Sequence, residues 1–136
     1  MQPCIFCRIV SGQAPASRLY EDEHVLAFLD INPVNPGHAL IIPKAHHETL
    51  LDLPDALMGP LGTACRRVAA ALLRATGAGG FNLMMNNYRV AGQLVPHAHF
   101  HVVPRHAGDG LRHWPGRPTP VPELERVAAR LREELA

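Results

Sequence analysis

The chain has 136 residues, 47% of them hydrophobic, and a formal net charge of +1 at pH 7 with its nine histidines counted as neutral. This length suits one domain with a buried core, and we expect a single domain over residues 1–136. The near-neutral charge argues against a nucleic-acid-binding protein, because such proteins neutralise phosphates with clustered basic side chains. The longest apolar runs, such as residues 69–73, are too short to span a bilayer. We therefore expect neither nucleic acid nor a membrane among the partners.

The cysteines indicate a metal site or a redox pair near the N-terminus. Cys4 and Cys7 form a Cys-x-x-Cys motif, whereas Cys65 stands alone on the face of a predicted helix and is expected in the core. An odd number of cysteines without a secretion signal does not suggest a disulfide framework, and we expect a cytoplasmic protein. A redox pair usually opens a helix after a strand, and only three residues precede Cys4, so the metal site is favoured.

The first half of the chain predicts three strands and a long helix. Residues 18–22 and 25–30 form a hairpin with its turn at 22–24, and residues 39–43 form a third strand after Asn35-Pro36-Gly37. A helix is predicted from residue 60 to about residue 76. It is indicated by apolar residues spaced i, i+3 and i+4, namely Leu61, Ala64, Cys65, Val68 and Leu72.

The second half predicts two further strands, a loop and a terminal helix. Residues 81–87 are predicted as a fourth strand, residues 105–120 as a Gly- and Pro-rich loop, and residues 121–135 as an amphipathic helix. The predicted class is α+β, with one main helix packed on an antiparallel sheet of about five strands and a C-terminal helix.

The fifth predicted strand carries a run of histidines at every second position. His97, His99 and His101 alternate with apolar residues, which predicts a half-buried strand with all three imidazoles on one face. A purely structural strand would more easily hold Thr, Val or Tyr at these positions. The imidazoles could bind a metal, or one of them could attack phosphorus while a neighbour hydrogen-bonds the phosphate. Spacing alone leaves both alternatives open.

The run His97-Ala98-His99-Phe100-His101-Val102-Val103 matches the His-φ-His-φ-His-φ-φ signature, with φ apolar, of the histidine-triad (HIT) family of nucleotide hydrolases and transferases. The resemblance covers nearly the whole length in the same order. It is carried further by residues 4–9, 28–33, 36–38, 41–46 and 92–93. The chain therefore resembles HIT proteins of the bacterial Hint- and Fhit-like branch. The resemblance implies a HIT-like fold, a homodimer and a small-molecule nucleotide substrate.

The resemblance also implies roles for residues in and near the triad. His99 matches the nucleophile, which attacks the α-phosphorus and forms a nucleotidyl-histidine that water later cleaves. His101 matches the residue that hydrogen-bonds the transferred phosphoryl group, and a backbone carbonyl near His97 is expected to orient His99. Gln93 and Asn86 match positions that contact phosphate or leaving group. Each could instead be a turn-forming polar residue, which is the interpretation we prefer for the adjacent asparagine, Asn87. For Gln93 we favour the functional role, because it follows Ala91-Gly92 in a loop that leads directly to the triad strand.

The resemblance further implies a nucleoside pocket and a zinc site. Asp30 is expected to accept both ribose hydroxyls beside an apolar cleft. That cleft would be formed by Ile5, Phe6, Ile9, Phe28 and Ile31. From sequence alone Phe28 is more typical of the core than of a ligand pocket.

The resemblance implies that zinc is held by Cys4, Cys7, His46 and His97, with His47 as the rival to His46. Two thiolates and two imidazoles make a closed tetrahedral set, so this zinc would be structural and would not activate water.

The substrate is less defined than the family. Residues 101–105 with Gly108-Asp109 look like the branch that cleaves dinucleoside polyphosphates, whereas His113-Trp114-Pro115-Gly116 resembles Hint phosphoramidases with altered spacing. Leu94 stands where the Hint branch usually has serine. We expect a hydrolase that cleaves at the α-phosphate of a dinucleoside polyphosphate or a nucleoside phosphoramidate or adenylate. The alternative is a nucleotide-binding regulatory or scaffold protein with slow hydrolysis.

Overall fold

A computed structural model describes residues 4–136 of the chain. Five strands form one antiparallel sheet in the order β1-β2-β3-β5-β4, which confirms the predicted class. The strands are β1 (Arg18–Glu21), β2 (Val25–Leu29), β3 (Ala39–Pro43), β4 (Gly80–Met85) and β5 (Phe100–Arg105). None of the helices within residues 4–136 has the length and apolar character needed to cross a bilayer.

One face of the sheet is covered by the helix α2 (Asp55–Thr76). Its residues Leu61, Val68 and Leu72 pack with Val25 and Ile41 of the central strands. The helix begins five residues before the predicted start, so Pro60 lies inside it. Proline there leaves one backbone carbonyl of the first turn without its usual donor, and packing of the following turns offsets this cost. Cys65 is buried in this core, as expected.

The other face of the sheet is covered by a short helix that the sequence pattern did not predict, α1 (Ile5–Val10). Phe6 and Ile9 of α1 are buried against Phe28 and Leu40 of the sheet. Six residues are too few for a helical period to stand out, which is why the pattern did not reveal α1. The histidine run lies on the side of the sheet that α1 covers, because Phe6 packs against the rings of His97 and His99.

A turn at Gly37 brings the chain into β3. Gly37 has a φ of +100°, and a Cβ there would approach the Thr76 side chain to 3.0 Å. Only glycine combines this backbone conformation with so close an approach to α2. The turn places the next residue, His38, at the start of β3 with only 4% of its surface exposed.

The last helix, α3 (Val121–Leu135), has the predicted bounds. The predicted histidine strand is shorter than expected, because the ladder of β5 with β3 and β4 begins only at Phe100. His97 and His99 therefore precede the strand. Their backbone is held by other bonds, in which the His97 N–H donates to the Val95 carbonyl and the Ala98 N–H to the His47 carbonyl. The predicted fourth strand is also shorter, and Asn86 and Asn87 follow it.

Candidate functional site

His97 connects two parts of the site. It is fully buried, and its Nε2 lies 2.8 Å from the carbonyl oxygen of Pro43. Because a carbonyl can only accept, Nε2 carries the ring proton and donates it, which leaves a lone pair on Nδ1. That Nδ1 lies 3.4 Å from Sγ of Cys4 and 3.2 Å from Nδ1 of His46. The ring of His97 thus faces the cysteine pair and not the other two triad rings.

His99 is oriented by the backbone of His97. Its Nδ1 lies 2.7 Å from the His97 carbonyl oxygen, so Nδ1 carries the proton and Nε2 carries the lone pair. The ring is 6% exposed, and the Phe6 ring packs edge-on against it with a centroid distance of 5.1 Å. No residue within the described range 4–136 hydrogen-bonds Nε2. A buried, oriented imidazole with a free lone pair is a competent nucleophile.

His101 is oriented in the opposite tautomer by His38. The Val34 N–H donates to Nδ1 of His38 at 3.0 Å, so the proton of His38 resides on Nε2. That Nε2 lies 2.9 Å from Nδ1 of His101 and donates to it, which leaves the proton of His101 on its own Nε2. The rings of His99 and His101 have centroids 5.0 Å apart. The pair therefore presents one lone pair and one N–H donor side by side.

Burial keeps these imidazoles neutral near pH 7. Together with a smaller contribution from the neighbouring histidines, it lowers the pKa of His97 and of His101 to about 4. The pKa values of His99 and His38 are also lowered, again mainly by burial. Three basic rings can lie in one segment because none of them is charged, so the repulsion that adjacent imidazolium groups would create does not arise.

Four side chains that sequence reasoning assigned to zinc come together. Cys4, Cys7, His46 and His97 each offer a ligand atom within 4.8 Å of the others. Tetrahedral zinc, with bonds of about 2.3 Å to sulfur and about 2.0–2.1 Å to nitrogen, sets its ligand atoms about 3.3–3.8 Å apart. The cysteine–histidine separations of 3.3–3.6 Å match this arrangement. These residues fit the metal, and His47 is not among them.

A second cluster, Asp30 with His38 and His101, has similar spacing but a different chemistry. A metal there would need a lone pair on Nε2 of His38, which would put the ring proton on Nδ1, opposite the Val34 N–H. Two donors would then face each other. His38 and His101 are better described as a hydrogen-bonded pair, called the relay below, with Asp30 beside it. His38 is a site residue that sequence reasoning missed, although its place in the motif at residues 36–38 was a usable signal.

Gln93 holds a loop beside the triad. Its amide oxygen accepts from the Tyr88 N–H at 2.8 Å, and its amide nitrogen donates to the carbonyl oxygens of Glu48 and Val95. Tyr88 has a φ of +70°, which is unusual outside glycine and is maintained by these bonds. Both amide donors are used by backbone, so the side chain orders the loop in this conformation. Asn87 similarly accepts from the Leu50 N–H.

The remaining predicted residues divide by exposure. Phe6 and Ile9 of α1 are buried against Phe28 of the sheet, and Phe6 reaches the His99 ring. Ile31 is 90% exposed and Ile5 is 43% exposed. Asp30 is partly exposed beside the relay, with Oδ2 3.6 Å from Nε2 of His38 and Oδ1 accepting from the Asn32 N–H. Asn86 lies against Gly92, in the loop that Gln93 holds.

The family profile described as HIT domain matches residues 11–108, and the chain belongs to the HIT family. An uncharacterised HIT-like protein of Methanocaldococcus jannaschii is 50% identical over 107 residues, covering 79% of this chain and 82% of that protein. An adenosine 5'-monophosphoramidase of Candida albicans is 36% identical over 98% of this chain and 91% of its own length. An adenylylsulfatase of Arabidopsis thaliana is 42% identical, covering 79% of this chain and 55% of that protein.

Solved structures share the fold. SMU.412c of Streptococcus mutans superimposes with a TM-score of 0.94 at 41% identity, covering 100% of this chain and 87% of that one. A HIT family member of Bacillus subtilis has a TM-score of 0.92 at 37% identity, with 99% of both chains covered. A zinc-bound histidine-triad protein of Mycobacterium smegmatis has a TM-score of 0.77 at 40% identity, with 96% of both chains covered.

The lowered pKa of His101 predicts a loss of stability in acid. Between an unfolded-state pKa of about 6.5 and the folded pKa of about 4, the unfolded chain binds a proton that the folded protein does not. We expect the free energy of unfolding in urea to fall as the pH is lowered through this window. The loss should be smaller in His101→Gln and unchanged in His113→Gln, which alters an exposed histidine. An equal loss in His101→Gln and the wild type would contradict this assignment.

Proposed function

We propose that this protein hydrolyses a nucleotide conjugate at its α-phosphate through a nucleotidyl-histidine intermediate on His99. The observation that carries the proposal is the fixed tautomer of His99, whose Nδ1–H is bonded to the His97 carbonyl while Nε2 keeps its lone pair. A protein that only binds nucleotide has no need of this arrangement. The neighbouring N–H of His101 supplies the donor that a phosphoryl oxygen requires.

The reaction divides into two displacements. In the first, Nε2 of His99 attacks phosphorus, the N–P bond forms, and the leaving group departs with the electrons of its bond to phosphorus and takes up a proton from solvent where its chemistry requires one. In the second, water attacks the same phosphorus and releases a proton to solvent, the N–P bond breaks, and a nucleoside monophosphate is released with the lone pair restored to His99. Nε2–H of His101 hydrogen-bonds a phosphoryl oxygen in both steps, where negative charge grows. His38 is a positioning residue, because it fixes which nitrogen of His101 carries the proton.

Asp30 is the candidate ribose contact. Its carboxylate lies at the end of β2, with Oδ2 3.6 Å from Nε2 of His38, and Oδ2 accepts no hydrogen bond from residues 4–136. Vicinal hydroxyls are matched donors for a carboxylate. The activities named for the Candida albicans and Arabidopsis thaliana relatives, a phosphoramidase and an adenylylsulfatase, support an adenylyl conjugate as substrate.

Zinc bound by Cys4, Cys7, His46 and His97 would attach α1 to the triad segment. When bound, the metal supplies four bonds that cross-link three distant parts of the chain. The zinc-bound Mycobacterium smegmatis relative supports the assignment. The His97 backbone is also held by other bonds, to Val95 and through Ala98 to His47, so the orientation of His99 does not depend on the metal alone.

A homodimer is supported by the edge strand β4. Its outer edge has no neighbour within the described chain, and Phe81, Leu83 and Met84 are 40–51% exposed. An open edge with large apolar side chains pairs readily with another strand. We propose that this edge and the adjoining face of α2 form an interface between two copies.

Replacing the nucleophile should abolish turnover. His99→Asn removes the attacking lone pair, and we expect the steady-state release of AMP from an adenosine phosphoramidate to fall by several orders of magnitude. Binding of AMP, measured by calorimetry, should remain close to that of the wild type. Near-normal hydrolysis by the variant would contradict the covalent route, and a single burst of product in the wild type would instead favour the slow binding protein.

Removing the ribose contact should weaken ribonucleotides selectively. Asp30→Asn should reduce AMP affinity by about 1–3 kcal/mol, because a charged acceptor is lost to the two hydroxyls. The affinity for 2',3'-dideoxy-AMP should change little. Equal weakening of both ligands would show that Asp30 acts through the relay with His38 and not on the ribose.

Metal removal should affect stability more than catalysis. We expect about one zinc per chain by elemental analysis, lost in the Cys4→Ala/Cys7→Ala double variant, which should unfold at a lower temperature. Cys65→Ala is the control and should retain zinc. A metal-free native protein, or zinc retained without both thiols, would overturn the assignment.

A further inference from the structure

The C-terminal arm, defined as residues 106–136, leaves the sheet in a fixed direction. Arg105 at the end of β5 forms a bidentate pair with Asp109, with distances of 2.8 and 3.1 Å. The Asn35 side chain also donates to Asp109 and to the Pro104 carbonyl. Charge-assisted pairs of this geometry hold a precise orientation. The arm therefore starts from a rigid junction and not from a loose tail.

The helix at the end of the arm exposes an apolar stripe. Leu124, Val127, Leu131 and Leu135 recur at helical spacing on one side of α3 and are 52–84% exposed. No residue of α3 is buried. An isolated helix of this length is only marginally stable in water, because most helical stability comes from packing an apolar face. The stripe indicates that α3 has a partner outside its own chain.

The placement of the arm is shared by related proteins. The superpositions on the Streptococcus mutans and Bacillus subtilis structures extend over 100% and 99% of this chain, so they include α3. The high TM-scores over this length, 0.94 and 0.92, favour a contact outside its own chain that holds α3 in place. Pro115, Pro118 and Pro120 stiffen the stretch before α3 and keep it extended, away from the body of its own chain.

A groove between α2 and β1 has the properties required to receive this helix. It has a volume of about 420 Å³ and is mainly apolar. Arg67 and Arg74 line it, and neither has a carboxylate within 4.0 Å in the part of the chain that the structure describes, although Arg67 also stacks over the ring of Tyr20. On α3, Glu123 and Glu134 lie beside the apolar stripe and have no basic partner among residues 4–136. The groove and the helix are complementary in charge and in apolar character.

We propose that α3 of one copy packs into the groove between α2 and β1 of a second copy, so that two chains exchange their arms. The stiff, extended stretch before α3 explains why the helix does not occupy the groove of its own chain. The proposal concerns assembly alone and does not depend on nucleotide hydrolysis. It also goes beyond the β4 interface, because that interface can form without the arm.

Photo-cross-linking between two differently tagged copies tests the exchange. The substitution Leu131→benzoylphenylalanine puts the probe in the stripe, and Arg126→benzoylphenylalanine puts it on the opposite side of α3 as the matched control. We expect the first probe to give a covalent dimer containing both tags, mapped by mass spectrometry to residues 19–20 or 67–76. The control probe should give much less. Equal yields, cross-links within one chain, or a dimer mapped to another surface would overturn the proposal.

Charge reversal provides a second, independent measurement. Arg67→Glu/Arg74→Glu should remove most of the cross-linked product from the Leu131 probe, because the groove would then repel α3. Combining it with Glu123→Arg/Glu134→Arg should restore the product. Unfolding midpoints equal to that of the wild type would show that these exposed substitutions leave the fold intact. No loss on reversal, or no recovery in the combined variant, would contradict the docking of α3 in this groove.

Discussion

The site depends on the buried ring of His97. A fully buried imidazole needs a partner for each nitrogen, since an unsatisfied polar atom in the core is costly. Nε2 donates to the Pro43 carbonyl, and Nδ1 faces the two cysteines and His46. The same residue then offers its backbone carbonyl to His99. The position of the His99 ring is therefore tied to a segment that cannot rotate without breaking either a core hydrogen bond or the cysteine–histidine cluster.

Backbone groups decide the protonation of every histidine in the triad. The Pro43 carbonyl sets His97, the His97 carbonyl sets His99, and the Val34 N–H sets His38 and through it His101. Backbone dipoles are fixed by the fold and need no reorganisation during a reaction, which is the condition for effective electrostatic catalysis. Burial completes the arrangement by lowering the pKa of each ring, so that lone pairs and N–H donors persist at neutral pH.

The sequence predicted the elements with strong periodicity and missed those defined by distant contacts. The alternating strands, the terminal helix and most of α2 follow from local patterns, whereas six residues are too short for α1 to be recognised. The four metal-type ligands were predicted through family resemblance, and the structure brings them together. His38 was missed because its partner, His101, lies 63 residues away, and the motif at residues 36–38 was the only signal for it that the sequence offered. A buried hydrogen bond between two histidines leaves no mark on spacing.

The two faces of the sheet carry different properties. The triad, the relay and α1 occupy one face, as the contacts of Phe6 with His97 and His99 show. The groove lies beside α2, on the other face of the sheet. The open edge of β4 lies at the margin of the sheet. The family match at residues 11–108 includes the triad and His38 but neither cysteine of the Cys-x-x-Cys motif nor α3. The triad and the relay thus lie within the part of the chain that the family profile covers. The N-terminal cysteines add contacts to Nδ1 of His97, whereas α3 adds an apolar surface that no residue within the described range 4–136 covers.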